Sequence, residues 1–135
     1  MKKRDGLAKG LLILIITTIA FTIVVMEYLV VFDVIAMKID INQLARDYIL
    51  EMETEGYMTE SMRTRLQQEL RDMGVTDIDM SGTSFNEVGY GNRIYLMFTC
   101  TASFQQINVD AGVMHASREE KEWTFPVCKM STAKY

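Results

Sequence analysis

Between Leu11 and Phe32 the chain runs for about 22 residues almost entirely on Leu, Ile, Val, Phe, Ala and Thr, and the one charge in the run is Glu27. As a helix this run is about 33 Å long, enough to cross a hydrocarbon core about 30 Å thick. A cleaved secretory signal has a shorter apolar stretch, about 7–15 residues, ending at small residues of a cleavage site. This run is longer and no such site follows it, so a retained anchor is expected. Lys2, Lys3, Arg4 and Lys9 stand before it against Asp5, a local balance of +3. That flank predicts a cytoplasmic leader over residues 1–10, a transmembrane helix over 11–32, and everything after it outside the cytoplasm.

The formal charge of the whole 135-residue chain is −4, so taking away the +3 of the leader leaves −7 for residues 10–135. An acidic domain repels phosphate backbones, which makes nucleic acid a poor partner. With 49% hydrophobic and 24% charged residues the remainder has the composition of a folded domain, and it shows no internal repeat.

No Gly or Pro interrupts residues 33–55, and Ile41, Leu44, Tyr48 and Met52 recur in steps of three and four. The spacing predicts that the helix continues as an amphipathic segment over 33–56, with Asp40, Arg46, Asp47, Glu51 and Glu53 on its polar side and Gly56 as its stop. A second helix is predicted from a Thr59 cap, with Met62, Leu66, Leu70 and Met73 as its stripe and Gly74 as its end. The period then changes to two. Val75–Met80 is a short strand candidate, residues 81–92 are turn-rich, and Ile94, Leu96, Phe98, Cys100, Ala102 and Phe104 alternate along one side of a long strand. Residues 105–118 read as irregular. Glu119–Met130 reads as a third strand with Trp123, Phe125 and Val127 on one side and Pro126 marking an edge or bulge. The expected fold is therefore α+β: a long membrane and amphipathic helix, a second helix, and a small antiparallel sheet of about three strands, with an extracytoplasmic domain over 57–135.

Residues able to do chemistry are few. His115, the only histidine, has no Cys or acidic pair at metal-ligand spacing, and Gly89-Tyr90-Gly91 precedes a strand rather than a helix. No cofactor, metal site or enzymatic activity is expected. Cys100 and Cys128 would face an oxidising compartment. Strand parity puts Cys100 on the apolar side and Cys128 away from Phe125 and Val127, which opposes a disulfide, whereas a bulge at Pro126 would bring Cys128 inward and allow one. Glu27 carries the most information. A carboxylate inside a membrane helix is costly, so it either reaches the outer interface or pairs with a cation when helices assemble side by side.

Lys2-Lys3-Arg4, the apolar helix with Met26-Glu27-Tyr28, the continuation Gln43-Leu44-Ala45-Arg46-Asp47-Tyr48, and Glu55-Gly56 before a sheet together resemble type IV pilin-like proteins. The pattern is most similar to the small TadE-like minor pilins of tight-adherence systems, and to a clostridial family called DUF4320 that accompanies such machinery. The resemblance implies a pilin-like fold, contact with membrane lipid, and homo- or hetero-oligomeric contact with other pilin-like or secretion-apparatus proteins through the N-terminal helix. It also implies that Glu27 and Tyr28 belong to the helix-assembly surface. Pilins are normally cut after a glycine that stands five residues before the glutamate. Thr22 occupies that place here, while Gly6 and Gly10 are followed at that distance by Leu11 and Ile15. A membrane-retained component of a pilus or secretion apparatus is thus expected. The alternative is a single-pass anchored protein-binding module unrelated to pili. N-terminal sequencing of membrane-extracted protein should return the residues around Lys2; a soluble form beginning after Gly10 or Thr22 would contradict a retained anchor.

Overall fold

A computed structural model describes the backbone of residues 2–110 and 115–135, and side chains over 4–108 and 117–135. The element order is α1 (Lys2–Glu55), α2 (Glu60–Asp72), β1 (Val75–Asp79), β2 (Arg93–Asp110) and β3 (His115–Thr132). The strands form one antiparallel sheet in the order β1-β2-β3. The fold is α+β, as the change of period predicts.

α1 is one uninterrupted helix. Over its apolar part the hydroxyls of Thr17, Thr18 and Thr22 donate to the carbonyls of Ile13, Leu14 and Thr18, one turn back, at 3.0, 2.7 and 2.8 Å. Each of these three hydroxyls is satisfied by its own helix, which suits an apolar surrounding. The helix ends at Gly56, whose φ of 80° is left-handed and whose N–H donates to the Met52 carbonyl at 2.7 Å. A Cβ at this position would come within 3.0 Å of the Val88 carbonyl oxygen, so glycine is required for both conformation and space.

The chain divides into two compact units. One is Val34–Phe104 with Glu120–Tyr135; the other groups Gln105–Glu119 with α1 up to Asp33. The larger unit thus takes in the amphipathic part of α1 as well as residues after Gly56. Ile41, Ala45, Tyr48, Ile49 and Met52 are buried, with Leu44 partly so, because this face is one wall of the core. α2 supplies Met62, Leu66 and Leu70. Its Thr59 hydroxyl accepts the Met62 N–H at 3.3 Å, and Gly74 closes it at a φ of 89°. β2 supplies Ile94, Leu96, Phe98, Cys100 and Ala102, all buried on the side its alternation predicts.

β1 shows how the sheet keeps its apolar side inward. Val75 and Ile78 are three residues apart, so a regular strand would point them to opposite faces. The register runs Val75↔Ala102 but Ile78↔Cys100, a one-residue shift between Val75 and Asp77 that turns both toward the core. Beyond β1, two hydroxyls take over its pairing. Thr83 Oγ1 donates to the Met97 carbonyl at 2.7 Å and accepts its N–H at 3.2 Å, while Ser84 Oγ accepts the Tyr95 N–H at 3.0 Å.

Two expectations change. Residues 105–118 are not irregular as a whole: β2 continues to Asp110 and β3 begins at His115, while residues 111–114 and the His115 side chain lie outside the described residues. Gln105, Gln106, Ile107 and Asn108 bury no continuous side, so their strand rests on backbone pairing, which leaves no period in the sequence. Trp123 lies on the same side as buried Phe125 and Val127 but is 38% exposed, with Lys121 Nζ 5.2 Å from its ring centre. Phe125 therefore marks the end of the core on β3.

Phe98 is 2% exposed at the middle of the buried side of β2. Phe98→Ala should cost about 3–5 kcal/mol, a large part of the stability of so small a core. Denaturant titration of the full chain in detergent should show this, with exposed Thr99→Ala as a near-neutral control. Equal effects of the two would contradict the register.

Candidate helix-assembly site

From Arg4 to Asp33 every residue of α1 is exposed except Ile23 and Val30, which are half-buried. They are seven residues apart and share one side of the helix with Met26 and Glu27. Within this compact unit the segment Gln105–Ile107 lies along that side. The Gln106 amide donates to Glu27 Oε2 at 3.3 Å, and a groove of about 470 Å³ opens between Ile23, Met26, Val30, Asp33 and Ile107. Tyr28 lies about 100° further round the helix than Glu27 and is 73% exposed. Glu27 borders the side along which Gln105–Ile107 lies, while Tyr28 is on the open side. The open side continues as Phe21, Val24, Tyr28 and Phe32. Gln106 and Ile107 were not legible as partners of Glu27, because only the path of the strand brings together residues 79 apart in sequence.

The cysteines are free, Cys100 buried and Cys128 exposed. Alternation holds through Pro126, with Phe125 and Val127 inward and Cys128 outward, so the bulge that would have allowed a disulfide is not formed. Burial pushes the Cys100 thiol up to about 11, which leaves it a poor nucleophile.

Two polar clusters fix α1 in the larger unit. Arg65 on α2 makes a two-oxygen pair with Glu51 on α1 at 2.6 and 2.5 Å, with its guanidinium 5.4 Å from the centre of the Tyr48 ring. The Tyr48 hydroxyl donates to Glu69 at 3.0 Å. Burial raises the Tyr48 pKa despite the nearby guanidinium, and the Glu51 contact raises that of Arg65. The second cluster corrects an expectation. Glu53 does not face solvent with the other acids of its helix; it is 7% exposed, paired with Lys134 and hydrogen-bonded by Ser131. The Lys134 N–H also donates to the Glu53 carbonyl at 2.9 Å, so the last residues lie over this side of the helix. Helical periodicity reads only the contacts of the helix with its core, and it has no signal for a strand end returning from 78 residues away.

A further groove lies between α1 and α2, with half-buried Leu44 and Met73 as floor and Asp40, Asp47, Glu69 and Asp72 around it. Among the described residues no group of three or more His, Cys, Asp or Glu could hold a metal ion. No family model matches the chain, and no curated protein or solved structure matches it.

Lys134 first, then Ser131, hold the Glu53 carboxyl below the ordinary carboxylate range. A lowered folded pKa contributes stability that is complete above the ordinary value, about 4.3, and is lost as pH falls through the lowered one. The partner is shifted the other way: Glu53 raises the Lys134 pKa, so its contribution is complete below about 10.4 and fades as pH rises through the raised value. Glu53→Gln should therefore lower the unfolding midpoint near neutral pH, and the gap to wild type should close below about pH 4. A gap that stays constant down to pH 2 would remove the clamp from the account.

Proposed function

We propose that this chain is a non-enzymatic, pilin-like structural component of a pilus or secretion apparatus, anchored in the membrane by α1. The N-terminus is cytoplasmic in this reading and the larger unit lies outside. The observation that carries it is the surface of α1. It is the one helix among the described residues long and apolar enough to cross a membrane, and no residue of its most apolar window is fully buried. The same helix then forms a wall of a folded core without a break. In such a chain the apolar helix is the surface left for lateral contact with neighbouring helices.

The lateral contacts fall to the open side, Phe21, Val24, Tyr28 and Phe32, because Gln106 already occupies part of Glu27. Aromatic and β-branched side chains at this spacing interlock with those of a neighbouring helix through van der Waals packing, the main source of helix association in a bilayer. The resemblance to pilin-like proteins supports the same assignment. The second reading, an anchored protein-binding module, is favoured by the acidic groove between α1 and α2, whose carboxylates and apolar floor suit a basic segment of a soluble partner.

The two readings differ in where neighbours touch the chain. A photoreactive residue in place of Tyr28 should give adducts in cells with other single-helix membrane proteins, and one in place of Ile23 should give few. Adducts confined to a photoreactive residue at Asp47 would contradict assembly through the helix and favour the binding module.

A further inference from the structure

Resting on the membrane-anchored reading, we propose that the groove beside Glu27 holds one outer-leaflet phospholipid with a primary ammonium headgroup. Its acyl chain lies along Met26, Val30 and Ile107, and its ammonium is held by the carboxylates of Glu27 and Asp33. Counted from Leu11 at the inner edge, Glu27 is about 24 Å and Asp33 about 33 Å along the helix. They bracket the outer boundary of a hydrocarbon core about 30 Å thick, the depth at which acyl chains meet headgroups. Ile23, Met26, Leu29, Val30 and Ile107 give this groove of about 470 Å³ an apolar wall suited to an acyl chain at this depth.

Charge selects the headgroup. The described residues lining the groove include two carboxylates, and none of them is Lys or Arg. Glu27 receives one neutral hydrogen bond, from the Gln106 amide, and its charge is not neutralised by it. An ethanolamine headgroup brings an ammonium with three N–H donors, and the amides of Gln105 and Gln106 are donors suited to its phosphate. A choline headgroup carries the charge without N–H donors, and a glycerol headgroup adds a net negative charge beside two carboxylates. The site therefore distinguishes lipids by hydrogen bonding as well as by charge.

The test uses the full chain in nanodiscs of dioleoyl phosphatidylethanolamine, phosphatidylcholine and phosphatidylglycerol in equal parts, with retained lipid read by native mass spectrometry. Wild type should retain the ethanolamine lipid about tenfold over each of the others, the scale of one charge-assisted hydrogen bond. The double variant Glu27→Gln, Asp33→Asn should retain the three in bulk proportion while still inserting. Val30→Trp, which fills the groove from an otherwise unburied helix, should retain little lipid of any kind. Bulk proportions in wild type, an unchanged preference in the double variant, or a lipid-free dimer with the groove filled by a second copy would each overturn the proposal. Release of wild type from membranes by alkaline carbonate would instead overturn the anchored reading, and the lipid site with it.

Discussion

A helix that is apolar on every side and a helix that is apolar on one side require different surroundings, and α1 is both in succession. Up to Asp33 its side chains are almost all exposed; from Val34 onward one face is closed against a core. No Pro or Gly falls between the two parts, so the backbone hydrogen bonding passes through the change of environment unbroken. Ile41, Ala45, Tyr48 and Met52 belong to the core because helical spacing sets them on one face. A break between Ile41 and Met52 would take away one wall of the core and leave Met62, Leu66 and Leu70 without part of their packing.

Polar contacts then restrict how that wall can sit. Hydrophobic burial alone would tolerate a helix slid or rotated by part of a turn, since it is non-directional. The two-oxygen Glu51–Arg65 pair, the Tyr48–Glu69 hydrogen bond and the Glu53–Ser131–Lys134 cluster are directional, and they lie one after another along the same stretch of α1. The exposed Glu51–Arg65 pair adds little stability, and its main effect is on register. The Glu53 cluster differs because its carboxylate is nearly buried, so losing either partner leaves a charge with little access to water.

Much of this was legible in the sequence, for a physical reason. Where a residue's position is decided by burial on one side of a regular element, the period shows it, as for Leu66 and Leu70 on α2 or Leu96 and Phe98 on β2. Where the backbone conformation is special, glycine shows it, as at Gly56 and Gly74. Contacts made at long range by polar groups leave no period. Glu53 looked like its solvent-facing neighbours, and Gln105–Asn108 looked like a loop because no buried side disciplines the pattern. The site near Glu27 was half legible. Its cost inside an apolar helix marked it out, whereas its contact with Gln106 came only with three-dimensional placement.

Cys128 offers the most direct test of the claim that α1 anchors a domain on the outer side of the membrane. It is exposed, while Cys100 is buried with its thiol pushed up to about 11, so a thiol reagent reads one position in the native protein. A small membrane-impermeant maleimide applied to intact cells should label the wild-type chain in the membrane fraction and fail to label Cys128→Ser. Labelling that appears only after the membrane is permeabilised, or a labelled chain recovered in the soluble fraction, would contradict the account.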